Sequence, residues 1–191
     1  GPEQYDAAMK AVLACPELVI NDDDERGIQF TSQSIVSIET RLTERAERMA
    51  GTVGVAVSAQ EQQSIIDTTP FNAGQREGFE LLCSGKQLAV VNGAAGTGKS
   101  FVLAAMSQAY EQEGRTVYGA IFQGKTAEDL QRDSGIQSRT IARILLDLES
   151  GKLQLNARSV LVVDEAGMVG SRDLEKLMAH TEAAGARLRL V

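Results

Sequence analysis

Apolar positions along the chain recur in two rhythms, and the rhythm changes near residue 72. Before that point the spacing is helical. Tyr5, Met9, Val12 and Leu13 return every three or four residues until Pro16 ends the run. Ile35, Ile38, Leu42, Ala46 and Met49 line one side of a longer helix, with Thr31 and Ser32 as candidate caps and Gly51 as its stop. The other side of that helix carries Glu39, Arg41, Glu44, Arg45, Glu47 and Arg48. Between the two helices, Asn21-Asp22-Asp23-Asp24-Glu25 reads as an acidic turn and Ile28-Gln29-Phe30 as a short strand. The 51–70 stretch is a connection with room for a helix near Gln60–Ile66.

From Asn72 onward, short apolar runs alternate with helical stretches. A helix over 73–83 precedes a strand over 88–92, and a helix follows over 99–112. Gly114 breaks the chain before a strand at Thr116–Ile121, and helices follow near 126–133 and 140–149. Ser159-Val160-Leu161-Val162-Val163 is a third strand. Ser171 is the expected cap of a helix to about Ala184, with Asp173 in its first turn. Gly185 ends that helix before a last strand, Arg187–Val191. Such alternation predicts an α/β fold, a parallel sheet with helices on both faces. The expected organisation is a small, mainly helical unit with its connection over 1–70, then the α/β domain over 71–191.

Composition narrows the class. At 191 residues the chain can bury one or two cores, and 43% hydrophobic residues is ordinary for a water-soluble protein. No apolar run approaches the roughly 20 residues that span a bilayer, and the N-terminus Gly1-Pro2-Glu3-Gln4 lacks the basic start of a signal peptide. Cys15 and Cys83, far apart in apolar contexts, read as buried thiols of a reducing cytoplasm. One histidine, His180, and two scattered cysteines argue against a zinc site. A net charge of −7 argues against gripping nucleic acid by bulk electrostatics. It leaves room for a local strip of Arg132, Arg139 and Arg143, though the charge pattern alone favours a solvated face.

Chemistry enters at residues 93–100. Gly93-Ala94-Ala95-Gly96-Thr97-Gly98-Lys99-Ser100 is an unbroken G-x-x-x-x-G-K-[ST] between a predicted strand and a predicted helix. Backbone N–H groups of such a loop wrap phosphates, and the helix N-terminus adds partial positive charge. Lys99 then reaches the β- and γ-phosphates, and the Ser100 hydroxyl ligates Mg²⁺. The third strand runs directly into Asp164-Glu165, at the edge where open α/β sheets bind ligands. There Asp164 can hold the Mg²⁺ shell, and Glu165 can orient or deprotonate an attacking water. Hydrolysis of a nucleoside triphosphate is the implied reaction. Upstream, Gln75 offers both a donor and an acceptor for an adenine edge. It also stands three residues after Asn72, as a capping box requires, and spacing alone favours that helix start.

Phe71-Asn72-x-x-Gln75, the Val91–Ser100 run and Val163-Asp164-Glu165-Ala166-Gly167-Met168-Val169 resemble motifs Q, I and II of superfamily 1B helicases of the RecD type. Two further stretches resemble the helicase half of conjugative relaxases of the TraA, TraI and TrwC type. They are Phe30–Glu39, and Phe122-Gln123-Gly124-Lys125-Thr126-Ala127-Glu128-Asp129-Leu130 leading to Ser134–Ala142. The likeness spans nearly the whole chain. It implies a P-loop, RecA-like ATPase fold, ATP and Mg²⁺ as ligands, Gln75 on adenine, and 5′→3′ translocation along single-stranded DNA. It implies motif Ia contacts from Gly124, Lys125 and Thr126 to the DNA backbone; the bland reading of Gly124-Lys125 is a strand-to-helix turn. Relatives often carry Ala-Pro-Thr-Gly here, whereas this chain has Ala120-Ile121-Phe122-Gln123-Gly124.

The resemblance also implies a larger parent. Helicases of this kind continue past Val191 to motif III and a second RecA-like domain with an arginine finger, worth on the order of 10³–10⁵ in rate. A relaxase domain needs a histidine cluster, and this chain has His180 alone. The expectation is a fragment that by itself binds nucleotide weakly and turns it over poorly. Its rivals are a RecD-like repair helicase or exonuclease subunit, and a non-catalytic module that holds single-stranded DNA.

Overall fold

A computed structural model describes residues 2–23, 27–93, 96–122 and 127–191. Helix α1 (Pro2–Leu13) leads into an antiparallel hairpin of β1 (Leu18–Asp23) and β2 (Gly27–Ser32), in register from Leu18↔Ser32 to Asp23↔Gly27. The apolar pattern marks only β2. Asn21, Asp22 and Asp23, expected in a turn, are strand residues paired to Gln29, Ile28 and Gly27. Backbone pairing with β2 outweighs their weak strand propensity. Helix α2 (Gln33–Gly51) starts where Ser32 Oγ accepts the Ile35 N–H at 3.3 Å, which settles the cap between the two candidates. Helix α3 (Ala59–Thr68) occupies the connection, extending beyond the expected segment at both ends.

The remaining elements are α4 (Ala73–Leu82), β3 (Leu88–Val90), α5 (Lys99–Gln112), β4 (Thr116–Ile121), α6 (Ala127–Ser134), β5 (Gln137–Thr140), α7 (Ile141–Glu149), β6 (Ser159–Asp164), α8 (Ser171–Ala183) and β7 (Arg187–Leu190). A single 3₁₀ turn, Ala166–Met168, separates β6 from α8. Strands β3, β7, β6, β4 and β5 form one sheet in that order, and each neighbouring pair is parallel. The P-loop α/β fold expected from the alternation is therefore the fold observed. Strand β5 is an addition, hidden in the sequence because Gln137-Ser138-Arg139-Thr140 has no apolar signature and lies at the sheet edge. Its register depends on Gly119 opposite Ser138: a Cβ on Gly119 would lie 2.2 Å from Ser138 Oγ.

Strand β6 is buried along its whole length and feeds two cores, because successive side chains point to opposite faces. Val160 and Val162 join Phe79, Leu103, Met106 and Leu130 under α4, α5 and α6. Leu161 and Val163 join Met49, Ile144 and Leu177 under α2, α7 and α8. The apolar side of α2 packs as its periodicity predicts, with Met49 fully buried. Part of its charged side is also an interface: Arg45 pairs with Glu182 and Glu175 of α8, and Arg48 with Glu182 at 3.1 Å. The hydrogen bond from Arg48 holds the Glu182 carboxyl below its ordinary pKa, against the opposing effect of burial.

Three expectations are corrected. Cys15 is exposed rather than buried, since α1 leaves Tyr5, Met9 and Val12 exposed as well. Cys83 is buried, and burial pushes its thiol up to about 12, which leaves it protonated and inert. Gly170, not Ser171, stands at the cap position of α8, and no side chain caps that helix. The three arginines do not form a free basic strip. Arg139 and Arg143 both pair with the buried Asp147, at 2.5 and 3.0 Å, and Arg132 sits between Asp129 and Asp133 at 2.8 and 3.0 Å. Burial raises the Asp147 pKa, but the two guanidiniums outweigh it and hold the carboxyl below its usual range.

A fully buried arginine ties the nucleotide-side helices to the sheet. Arg189 of β7 donates from Nε to Leu82 O (2.6 Å) and from Nη2 to Ser84 O (3.1 Å) and Tyr110 Oη (2.8 Å). Its Nη1 donates to Lys86 O (3.1 Å) and Leu188 O (2.9 Å). The Tyr110 hydroxyl in turn donates to Leu82 O at 2.8 Å. The positive charge lies against the carbonyl end of α4, where the helix dipole favours it. Replacing Arg189 by Met orphans several buried carbonyls. The variant should lose about 3 kcal/mol of unfolding free energy, measured by urea denaturation.

Candidate nucleotide-binding site

Three strand ends fix the site. Val91 N–H donates to Leu190 O at 2.9 Å, Val191 N–H to Val163 O at 3.0 Å, and Ala166 N–H to Val191 O at 3.0 Å. The carboxyl ends of β3, β7 and β6 therefore lie side by side. The glycine-rich loop leaves β3 and the Asp164-Glu165 pair leaves β6 from one edge of the sheet, with β7 between them.

Of the loop, Gly93, Gly96, Thr97 and Gly98 are described; Ala94 and Ala95 lie outside the described residues. Helix α5 begins at Lys99, so its first-turn N–H groups and partial positive charge are directed at the loop. Lys99 folds back over the loop and donates from Nζ to Gly93 O at 3.2 Å. Gly98 caps α5 at φ 82°. That conformation favours glycine, and a Cβ there would lie 2.6 Å from Gln75 Nε2 and push the amide aside.

Gln75 closes the start of α4 and straps that helix to the loop. Asn72 Oδ1 accepts the Gln75 N–H at 2.9 Å, and Gln75 Oε1 accepts the Asn72 N–H at 3.1 Å, completing the capping box. The second half of the same amide donates from Nε2 to Thr97 O at 3.0 Å. Phe71 stacks on Phe79 of α4 (centroids 5.2 Å apart) and meets Phe101 of α5 edge-on (5.6 Å). Together these contacts set the two helices around a cleft of about 450 Å³, walled by Gln75, Gly78, Val91, Thr97, Val102 and Val191 among others. The walls include Lys99 but neither Asp164 nor Glu165, so the cleft lies on the α4 side of the loop.

Asp164 is the last residue of β6, 3% exposed, and its Oδ1 accepts the Glu165 N–H at 3.0 Å. Glu165 then turns the chain at φ 55°, ψ 41°, the only non-glycine with positive φ among the described residues. A side chain in this left-handed region costs roughly 1–2 kcal/mol, and such residues concentrate at functional sites. Among the described residues no group of three or more His, Cys, Asp or Glu could hold a metal ion. Mg²⁺ in a nucleotide site takes one or two protein oxygens and completes its shell with water and phosphate. A hydroxyl at Ser100 and a carboxylate at Asp164 are the donor types required.

The structure thus brings Gln75, Gly93, Thr97, Gly98, Lys99 and Ser100 to one loop, with Asp164 and Glu165 on the same sheet edge. Gly124, Lys125 and Thr126 fall outside the described residues. Two features escape sequence reading: the strap to Thr97 O, since backbone acceptors carry no residue signal, and the buried Asp147. The latter has a faint signal in its i,i+4 spacing from Arg143.

A glycine-rich phosphate loop on a parallel α/β sheet, with an acidic pair at the end of the next strand but one, defines a P-loop nucleotide-binding domain. A family model described as an AAA domain matches residues 70–191, and the chain belongs to that family. Over 168 residues, 85% of this chain, it is 35% identical to the conjugal transfer protein TraA of Agrobacterium fabrum (strain C58 / ATCC 33970). It is 30% identical over 164 residues to the probable conjugal transfer protein TraA of Sinorhizobium fredii (strain NBRC 101917 / NGR234), and 29% identical over 168 residues to TraA of Rhizobium radiobacter. The chain spans about 15% of the length of each of these relatives. The likeness to TraA-type proteins drawn from the motifs is borne out.

Replacing Gln75 by Ala removes the side-chain half of the capping box and the strap to Thr97 O together, while Asn72 Oδ1 still accepts the backbone N–H at 75. Without nucleotide present, the variant should lose about 1 kcal/mol of stability, read from the midpoint of urea unfolding.

Proposed function

We propose that this chain is the first RecA-like half of an ATP-driven motor that moves 5′→3′ along single-stranded DNA during conjugative transfer. The observation that supports it best is the shared sheet edge: a phosphate loop with Lys99 folded over it, and an acidic pair two strands away. Mg²⁺ would neutralise phosphate charge, held by Ser100 and Asp164. Lys99 and the loop N–H groups bind and orient the triphosphate. Glu165 takes the proton of the attacking water. A non-catalytic DNA-holding module has no use for Lys99, Ser100, Asp164 and Glu165 together. The relatives carry the name of conjugal transfer proteins, which favours transfer over a RecD-like repair role.

Gln75 recognises adenine without giving up its structural bonds. Its Oε1 has a second lone pair and its Nε2 a second hydrogen, so the amide can serve the cap, the loop and a base edge at once. The segment joining β4 to α6 carries Gly124, Lys125 and Thr126 to the DNA backbone. Residues 1–70 form an accessory unit and 71–191 the ATPase domain. The parent adds a second RecA-like domain with its arginine finger, and a relaxase domain, and works in the cytoplasm. No helix among the described residues is long and apolar enough to cross a membrane.

Lys99→Ala should weaken Mg²⁺-ATP binding by at least an order of magnitude, measured by calorimetry on this chain. Equal binding by variant and wild type overturns the loop assignment. In the intact parent, Glu165→Gln should bind ATP normally and lose turnover about 10²-fold or more, measured by phosphate release. Lys125→Ala should lower single-stranded DNA affinity and reduce the salt slope by about one phosphate contact; an unchanged slope removes Lys125 from the DNA path.

A further inference from the structure

A second cleft of about 450 Å³ opens at the opposite end of the sheet, between the 52–57 segment and the starts of β4, β6 and β7. Three arginines line it, Arg115, Arg158 and Arg187, against a single carboxylate, Glu113. Arg187 is 5% exposed. It donates to the carbonyls of Val55 and Ala157, yet its buried Nε has no hydrogen-bond partner. Arg115 donates to Val55 O at 2.9 Å and lies 3.5 Å from Glu113 Oε2. Arg158, at the exposed rim, donates to Glu113 O and Gly114 O at 2.9 to 3.2 Å.

Neutral carbonyls satisfy donors but cancel little charge. Three guanidiniums around one carboxylate leave surplus positive charge in a partly enclosed space, in a chain whose net charge is −7. Burial, and then the positive charge of Arg115, hold the Arg187 guanidinium below its ordinary pKa, as an unneutralised site requires. A purely structural staple of the 52–57 segment would need the donors alone. It does not explain the charge surplus.

We propose that this cleft binds a small phosphate-bearing anion of the diphosphate class, with Arg115, Arg158 and Arg187 as its ligands. The planar fork of a guanidinium matches phosphate oxygens, and the volume suits a ligand of diphosphate to mononucleotide size. This site is separate from the phosphate loop and does not depend on how that loop is read.

Calorimetric titration with pyrophosphate tests it in the Lys99→Ala chain, where the loop contributes least. That chain should bind one pyrophosphate. Adding Arg158→Ala should weaken binding about tenfold. Adding Glu113→Gln should strengthen it several-fold, since the only carboxylate is neutralised while Oε1 still accepts the Ser58 N–H. No binding in the Lys99→Ala chain overturns the proposal, and so does an affinity that neither added substitution changes.

Discussion

The buried guanidinium of Arg189 is the interaction on which the nucleotide side of the molecule depends. It sits on β7, near the middle of the sheet, and reaches sideways into the far ends of two helices. Leu82 O belongs to the last turn of α4, and the Tyr110 hydroxyl belongs to α5. Those helices carry Gln75 and Lys99 at their opposite ends. One side chain therefore sets the anchor points of both arms of the loop. Burying an arginine without a carboxylate is expensive unless its donors are satisfied. Here a helix dipole and a ring of carbonyls do so, and the geometry is correspondingly rigid.

The loop itself is held from three directions. Lys99 bonds across it to Gly93 O, Gln75 bonds to Thr97 O, and Phe71 wedges the starts of α4 and α5. None of these bonds needs a ligand. The bond from Lys99 to Gly93 O holds the positive charge of its ammonium at the loop. The acidic pair stands apart from the cleft along the same sheet edge. Asp164 owes its place to β6, which is packed on both faces.

Much of this was legible in the sequence where residue chemistry and periodicity agree. The glycine-rich loop, the apolar β6 ending in Asp164, and the apolar stripe of α2 each combine a pattern with a forced chemical role. What stayed hidden was decided by partners distant in the chain. Strand β1 takes acidic residues because β2 pairs with them, and β5 is polar because it fills an edge beside Gly119. Gln75 could be read as cap or as base reader; the bonds show the cap, plus a strap to a backbone carbonyl that no residue code announces. Arg139 and Arg143 suggested a basic surface, and the buried Asp147 claims both. The position of Arg187 and Arg189 in a short strand of alternating arginine and leucine gave no hint that one would line a cleft and the other would hold the end of α4.

Glu165 carries a consequence for how this fold can change over time. Its left-handed backbone would suit glycine or asparagine better, and either would relieve strain at that turn. Selection for folding alone would thus drift away from glutamate at this position. A glutamate held there marks a position where the backbone by itself would favour another residue. If the proposed chemistry were no longer needed, this carboxylate would be free to give way to glycine or asparagine, and the turn would grow slightly more robust.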